Sequence, residues 1–211
     1  MKVIILAIAI CFSAAFHAQG VEDFFTPDYK MTWMGIDFSH AQYFGETGTV
    51  SADEMKTLFH KINDLILYEP EKFDLPHAFK KYRVGYDLKA VWANNDAMDP
   101  ATIISHAGGN THRFNRDSIR TYMENYQIGE EMAGIGLVLF TESLDKTDES
   151  FTCWITAINL DTREILLTEK MEGLASGIGF RNHWANAVND ILREVRFELP
   201  EWKKKYTEQI H

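Results

Sequence analysis

The stretch GIGFRNHWANAVNDIL combines residue types that could bind an anion with the start of a helix. Gly177 and Gly179 precede Arg181, Asn182 and His183, and an amphipathic helical pattern follows them. A helix N-terminus presents unpaired N–H groups and the positive end of a dipole to an anion, and a nearby arginine adds charge. The stretch therefore marks Arg181, Asn182 and His183 as candidate ligand-binding residues.

The same stretch matches no phosphate-binding or nucleophile motif. A dinucleotide fingerprint needs three glycines and a later strand ending in an acidic residue, and a phosphate loop ends in G-K-[ST]. GLASG places Ser176 one position too late for a nucleophile elbow. The simpler interpretation is structural: Ser176 caps the helix, Phe180 and Trp184 begin its buried stripe, and the three candidate residues lie on its flanks. We favour this interpretation and leave anion binding open.

A second set of residues could bind a metal ion. Asp37 and His40 end the first β-type run, and His106 and His112 flank the loop AGGNT. Imidazole and carboxylate groups bind zinc and similar ions, and strand ends and loops are where such ligands gather. The four residues do not follow H-E-x-x-H or another close ligand spacing. The alternative interpretation is therefore that they are scattered over the fold and do not form a metal site.

No residue is assigned a catalytic role, and no cofactor is predicted. A Ser-His-Asp set can be drawn from any chain with eight histidines, and it has no weight without a motif or geometry. Cys153 lies within the β-type run FTCWITAINL, where a buried, unreactive thiol is expected. The sequence therefore favours a protein that is not an enzyme.

Hydrophobic periodicity predicts the elements that must position these residues. Alternation in MTWMGIDFSHA predicts a strand with Trp33, Gly35 and Asp37 on one face and the intervening residues on the other. Ser51 begins a capped helix that Pro70 ends. YRVGYDLKAVW predicts a second strand, Asp99 and Pro100 begin a short helix, and another helical stripe follows.

The second half of the chain predicts an antiparallel meander followed by a long helix. GIGLVLFTESL, SFTCWITAINL and EILLTEKMEG are β-type runs joined by a polar loop and the tight turn LDTR. The predicted fold is α+β, with a mixed, largely antiparallel sheet of about five strands and helices packed on at least one face. Residues 20–199 form the predicted single domain, and 200–211 a helical tail beyond Pro200.

The first residues, MKVIILAIAICFSAAFHAQG, have the layout of a secretory signal peptide, assigned here to residues 1–19. The apolar run is about half the ~20 residues of a spanning helix, so we expect no integral membrane segment after cleavage. Ile10 before Cys11 is too large for the usual lipid-attachment motif. The chain is predicted to be exported, either periplasmic or secreted. Removal of Cys11 leaves Cys153 alone, which excludes an internal disulfide.

The charge of the chain excludes one class of partner. The formal net charge of -10 repels a phosphate backbone, so no nucleic-acid partner is expected. EWKKKY near the C-terminus is locally basic, and three lysines there are typical of a solvated helix face.

The chain resembles the uncharacterised exported proteins common in Bacteroidetes-type bacteria in three stretches: the leader, WMGIDFSHAQYFG, and the segment from GIGLVLF to NDIL. FTCWITAINLDTREILLTEKM followed by a long helix is similar in topology to two envelope accessory proteins: the lipoprotein activators of penicillin-binding proteins and the curli-secretion lipoprotein. Those families act by binding other proteins. The resemblance implies a non-catalytic envelope module that binds a protein or cell-wall partner. The alternative is a small-molecule- or metal-binding enzyme that uses the end of the first strand and the SHAGGNTH loop.

Overall fold

The computed structural model describes residues 20–105 and 113–208, which form an α+β fold around one mixed sheet. The strands of this described part are β1 Met31–Asp37, β2 Gln42–Phe44, β3 Val84–Tyr86, β4 Ile135–Asp145, β5 Ser150–Asn159 and β6 Ile165–Leu174. Its helices are α1 Val21–Phe24, α2 Ala52–Tyr68, α3 Leu75–Ala78, α4 Lys89–Ala97, α5 Arg116–Glu124 and α6 Phe180–Thr207, with a 3₁₀ turn at Pro100–Thr102.

The strands follow the order β3-β1-β4-β5-β6, and the short β2 pairs with the far end of β4. β1 is parallel to β3 and β4, whereas β4, β5 and β6 form an antiparallel meander. The two long antiparallel ladders contain most of the paired residues. The predicted fold class, mixed and largely antiparallel, is therefore confirmed.

Helices cover both faces of the sheet. On one face α2, α3 and α6 enclose the larger apolar cluster, in which Phe59 and Trp184 meet residues of β1, β4 and β5. On the other face Val91 of α4 and Ile119 of α5 pack against residues of β1, β4 and β5. Each strand of the sheet centre is consequently covered on both sides, which explains its continuous burial.

The predicted faces of β1 are wrong because the strand contains a bulge. Its register with β4 shifts between Trp33 and Gly35, so Trp33 and Ile36 both lie in the larger cluster while Met34 lies in the other. Gly35 has φ +112°, and a Cβ there would lie 2.9 Å from Oδ1 of Asn63. A bulge re-aims the following side chains, which simple alternation cannot anticipate.

Beyond the end of β3, two buried asparagines form the backbone hydrogen bonds to β1 that a neighbouring strand would form. Asn63 accepts from the Ile36 N–H at 2.7 Å and donates to the Ile36 carbonyl at 2.9 Å. Asn95 accepts from the Phe38 N–H at 2.7 Å and donates to the same carbonyl at 3.1 Å. α2 and α4 therefore fix the carboxyl end of β1.

The second predicted strand is shorter than expected. Only Val84–Tyr86 is a strand, and from Lys89 the chain is helical because Asp87 accepts from the Lys89 N–H and α4 begins. The expected helix at Pro100 is a single 3₁₀ turn, in which Asp99 accepts from the Ala101 N–H as predicted. Its predicted end, at Gly108 and Gly109, lies outside the described residues.

Helix α6 is one uninterrupted element of 28 residues. Its N-cap is Gly179, at φ +79° and without a side-chain cap, so the predicted cap at Ser176 is wrong. The helix continues through Pro200, and Trp202 is buried in the larger cluster, so residues 200–207 of the predicted tail form the last turns of α6. Among the described helices, this one included, none has the length and apolarity needed to cross a membrane.

Candidate ligand-binding cleft

Asp37 lies at the carboxyl end of β1, as predicted, but its carboxylate is fully engaged. One oxygen accepts from the backbone N–H of Ser39 at 2.7 Å and from its hydroxyl at 2.5 Å. The other accepts from Nδ2 of Asn94 at 3.2 Å and from the hydroxyl of Tyr126. The side chain thus joins β1 to α4 and to the segment after α5, and a metal ion would have to displace these donors.

His40, the second predicted metal ligand, stacks on the ring of Tyr122 with centroids 3.8 Å apart. Its carbonyl accepts from Nη2 of Arg113 at 2.9 Å. His106 and His112 lie outside the described residues, so the metal site stays a prediction. Within residues 20–105 and 113–208, no three His, Cys, Asp or Glu side chains are arranged to hold a metal ion.

Glu142 is a buried carboxylate that sequence reasoning missed. One oxygen accepts from the N–H groups of Arg113 and Phe114 at 2.5 and 3.1 Å. The other accepts from Trp154 at 2.9 Å and lies 3.3 Å from Nζ of Lys170. Burial alone would raise the pKa of Glu142, but these hydrogen bonds and the lysine hold it below its ordinary value. The carboxylate therefore anchors the chain that enters α5 to β4.

The three predicted anion-binding residues do not converge. Arg181 and Asn182 are exposed and hydrogen-bond each other at 3.1 Å, whereas His183 is only 6 % exposed. The predicted flanking position is therefore wrong for His183. Burial, together with Lys146 whose Nζ lies 3.4 Å from Nε2, lowers the pKa of His183.

His183 faces a small cavity of about 240 Å³ between the N-terminus of α6 and the loop after β2. Tyr43, Phe180 and Trp184 also line it. The ammonium group of Lys146 already contacts both His183 and, at 3.1 Å, Glu149. The cavity thus combines aromatic side chains with glycines and polar residues, and its lysine is already paired.

A larger cleft of about 650 Å³ lies between α5 and β6. The residues after α5, the turn from β5 to β6, and Tyr206 near the end of α6 complete its walls. Apolar side chains form about half of its lining, and three arginines and two glutamates also line it. A concave surface of this size, apolar with a few charged groups, is typical of a ligand-binding site. The apolar lining consists of Met123, Tyr126, Ile128, Ile165, Leu166 and Leu167.

Arg163 is the distinctive charged group of this cleft. Its Nη2 donates to the carbonyls of Ile128 and Gly129 at 3.2 and 3.1 Å, which fixes the plane of the guanidinium. Its Nη1 is buried and has no hydrogen-bond partner among the described residues. Arg116 and Arg120, by contrast, are paired with Glu169 and Asp117 at 3.1 and 2.8 Å.

Two tyrosines tie the cleft to the rest of the molecule. Tyr126 lines it and hydrogen-bonds Asp37, and burial together with that carboxylate raises the pKa of Tyr126. The hydroxyl of Tyr206 accepts a hydrogen bond from the N–H of Thr168 and donates one to the carbonyl of the same residue. Burial raises the pKa of Tyr206 to about 12. Both hydroxyls stay protonated at neutral pH, so they hold the walls in place as hydrogen-bond donors.

No family model, curated protein or solved structure matches this chain. The fold and the cleft together define an α+β chain with an arginine-containing cleft beside the edge strand of its sheet. Local sequence does not mark this site, because LDTR reads as an ordinary tight turn and the walls come from segments far apart in the chain.

Proposed function

We propose that the chain is an exported, non-catalytic binding module of the cell envelope. Its partner, a protein or cell-wall component, inserts an apolar group into the cleft between α5 and β6. The observation that carries the proposal is an open cleft of about 650 Å³ in which six apolar side chains, from α5, the residues after it and β6, line one continuous concave surface. Burial of an apolar group there would contribute roughly 25 cal/mol per Å² to binding.

The state of the reactive groups supports binding over catalysis. Asp37 and Glu142 have their oxygens engaged by protein donors, so neither carboxylate is placed to exchange a proton with a substrate. Cys153 is fully buried, and burial, together with Glu142, raises the pKa of its thiol. A buried thiol with a raised pKa is a poor nucleophile.

The proposal is tested with Nile red, a neutral dye whose fluorescence increases in apolar sites. Ile128 is a partly buried residue of the cleft wall, so Ile128→Trp should fill the cavity. Ile178 is 93 % exposed, and Ile178→Trp is the matched control. We expect the parent chain and the control to bind Nile red with one-to-one stoichiometry and Ile128→Trp to lose most of that binding.

Folding of each variant is checked by circular dichroism. Leu166→Trp, which fills the cleft from β6, replaces Ile128→Trp if the latter does not fold. Absence of dye binding in the parent chain contradicts the proposal. Equal binding by the parent and by a folded, cleft-filled variant contradicts it as well, because the dye must then bind elsewhere.

A further inference from the structure

We infer that the surface around the start of α6 associates with the same surface of a second copy of this chain, forming a two-fold dimer. The inference concerns the smaller cavity, of about 240 Å³, and no residue of the described chain lines both this cavity and the cleft between α5 and β6. It therefore goes beyond the proposed function. Two observations carry it: an exposed apolar side chain beside the cavity, and exposed charges of opposite sign on its two sides.

Ile178 is the exposed apolar side chain. It is 93 % exposed, more than any other large hydrophobic side chain of the described chain. Its neighbours Gly177 and Gly179 line the cavity, with φ of 97° and 79°, in the left-handed region that favours glycine. The side chain of Ile178 therefore projects into solvent directly beside the cavity.

The cavity provides apolar walls for a side chain of this kind. Tyr43, Phe180 and Trp184 form its aromatic part, and Val50 adds an aliphatic side chain. At about 30 Å³ per water molecule, the cavity has the volume of about eight waters, which is more than the four side-chain carbons of an isoleucine need. Entry of an isoleucine would remove apolar surface of both the side chain and the walls from water.

A projecting side chain next to a cavity, on one surface, is the arrangement that a two-fold dimer uses. In such a dimer the same surface of both copies is buried, and every contact is made twice. Ile178 of each copy then enters the cavity of the other copy. Because Gly177 and Gly179 join the side chain to the cavity, the two contacts lie close to one rotation axis.

The charges beside the cavity identify a second copy as the partner. Glu46, in the loop after β2, and Arg181, in the first turn of α6, are both exposed. Neither forms an ion pair within the part of the chain that the structure describes, whereas Lys146 and Glu149 nearby pair with each other at 3.1 Å. A surface with one unpaired charge of each sign is complementary to itself, and the two-fold dimer places Arg181 of each copy opposite Glu46 of the other.

Sedimentation velocity tests the dimer and the role of Ile178. At 0.15 M NaCl the Debye length of about 8 Å screens the net charge of -10 on each chain. We expect a reversible, concentration-dependent dimer of the parent chain. Ile178→Ser should raise its dissociation constant about 100-fold or more, because the dimer loses two buried isoleucines. Phe197→Ser is the matched control, since Phe197 is 71 % exposed and lies about 25 Å along α6 from Phe180, and it should leave the constant unchanged.

A charge exchange between chains tests the pairing of Arg181 with Glu46. Arg181→Glu alone and Glu46→Lys alone each place like charges opposite each other in their own dimers, so each should raise the dissociation constant about 10-fold. An equimolar mixture of the two variants should dimerise as the parent does, because every mixed dimer contains two pairs of opposite charge. Rescue in the mixture requires contact between chains, so a change within one chain does not produce it.

The contradicting outcomes are separate for each part of the inference. A parent chain that stays monomeric up to about 1 mM contradicts the dimer. Assembly beyond two copies contradicts the two-fold symmetry, because a head-to-tail contact builds open chains. A dimer that Ile178→Ser leaves unchanged, or a mixture of the charge variants without rescue, contradicts this surface as the interface. Binding of Nile red in the cleft between α5 and β6 is independent of all these results.

Discussion

At the scale of single residues, a buried lysine makes the stability of the fold depend on pH. Lys81 is 5 % exposed, and its Nζ donates to the carbonyls of Asp23 and Thr26 at 3.1 and 2.7 Å. Burial lowers the pKa of Lys81 from 10.5 to about 8, although Asp23 and Asp28 partly oppose the shift. The lysine attaches α1 and the turn that follows it to the core, and it is easier to protonate in the unfolded chain.

This shift predicts a dependence of stability on pH. Between pH 8 and 10.5 the unfolded chain holds the proton on Lys81 more tightly than the folded chain does, so the contribution of this residue to stability rises with pH. Lys81→Met removes that contribution and leaves the tyrosines unchanged. We expect the free energy of unfolding of the parent, relative to Lys81→Met, to increase between pH 7.5 and 10 in urea titrations. Parallel profiles would show that Lys81 is not desolvated.

The sequence predicts where a residue lies in the fold better than it predicts the hydrogen-bond partners of that residue. Asp37 lies at the end of a strand, as the sequence predicts, yet one of its oxygens accepts from Asn94 and Tyr126, which are far along the chain. The sequence predicts His183 on a helix flank, but the side chain is buried and contacts Lys146. In both cases the deciding partner belongs to another element, so periodicity within one segment does not reveal it.

At the scale of elements, the buried asparagines that hydrogen-bond the backbone of β1 stabilise the fold, although they are polar side chains. Asn63 is fully buried and supplies both a donor and an acceptor to Ile36. Asn63→Leu would leave the N–H of Ile36 without a partner and weaken pairing at its carbonyl. We expect a loss of about 2–4 kcal/mol in the free energy of unfolding, since each buried unpaired group costs roughly 1–3 kcal/mol.

Asn125→Ala is the matched control for this substitution. Asn125 is exposed, and its side-chain amide donates to the carbonyl of Thr121, so its replacement should cost less than about 0.5 kcal/mol. Urea denaturation followed by far-ultraviolet circular dichroism measures both variants. Similar losses for the two would mean that the edge of β1 is satisfied in some other way.

The elements that sequence predicted well are those with local signals. The capping residue Ser51 and the apolar spacing specify α2, and alternating runs with turns between them specify β4, β5 and β6. The bulge at Gly35, the short β2 and the change from strand to helix near Asp87 depend on contacts between elements. Those contacts are not encoded in any single stretch of sequence.

At the scale of the whole molecule, the cleft exists because three stretches that are far apart in the chain meet. They are α5 with the residues that follow it, the turn containing Arg163 with the strand β6 that it leads into, and the last turns of α6. Tyr206 holds the end of α6 against Thr168 and closes part of the exposed edge of the sheet. Treating the residues after Pro200 as a separate tail hides this wall, so the sequence alone could not locate the cleft.

A crystal structure of the chain with 3-(4-iodophenyl)propionate tests the central claim most directly, because the anomalous signal of iodine locates the ligand without ambiguity. We predict iodine inside the cleft, beside the apolar side chains of Met123, Ile128 and Ile165. Iodine at the N-terminus of α6 or elsewhere, with the cleft between α5 and β6 empty at saturating ligand, would contradict the account.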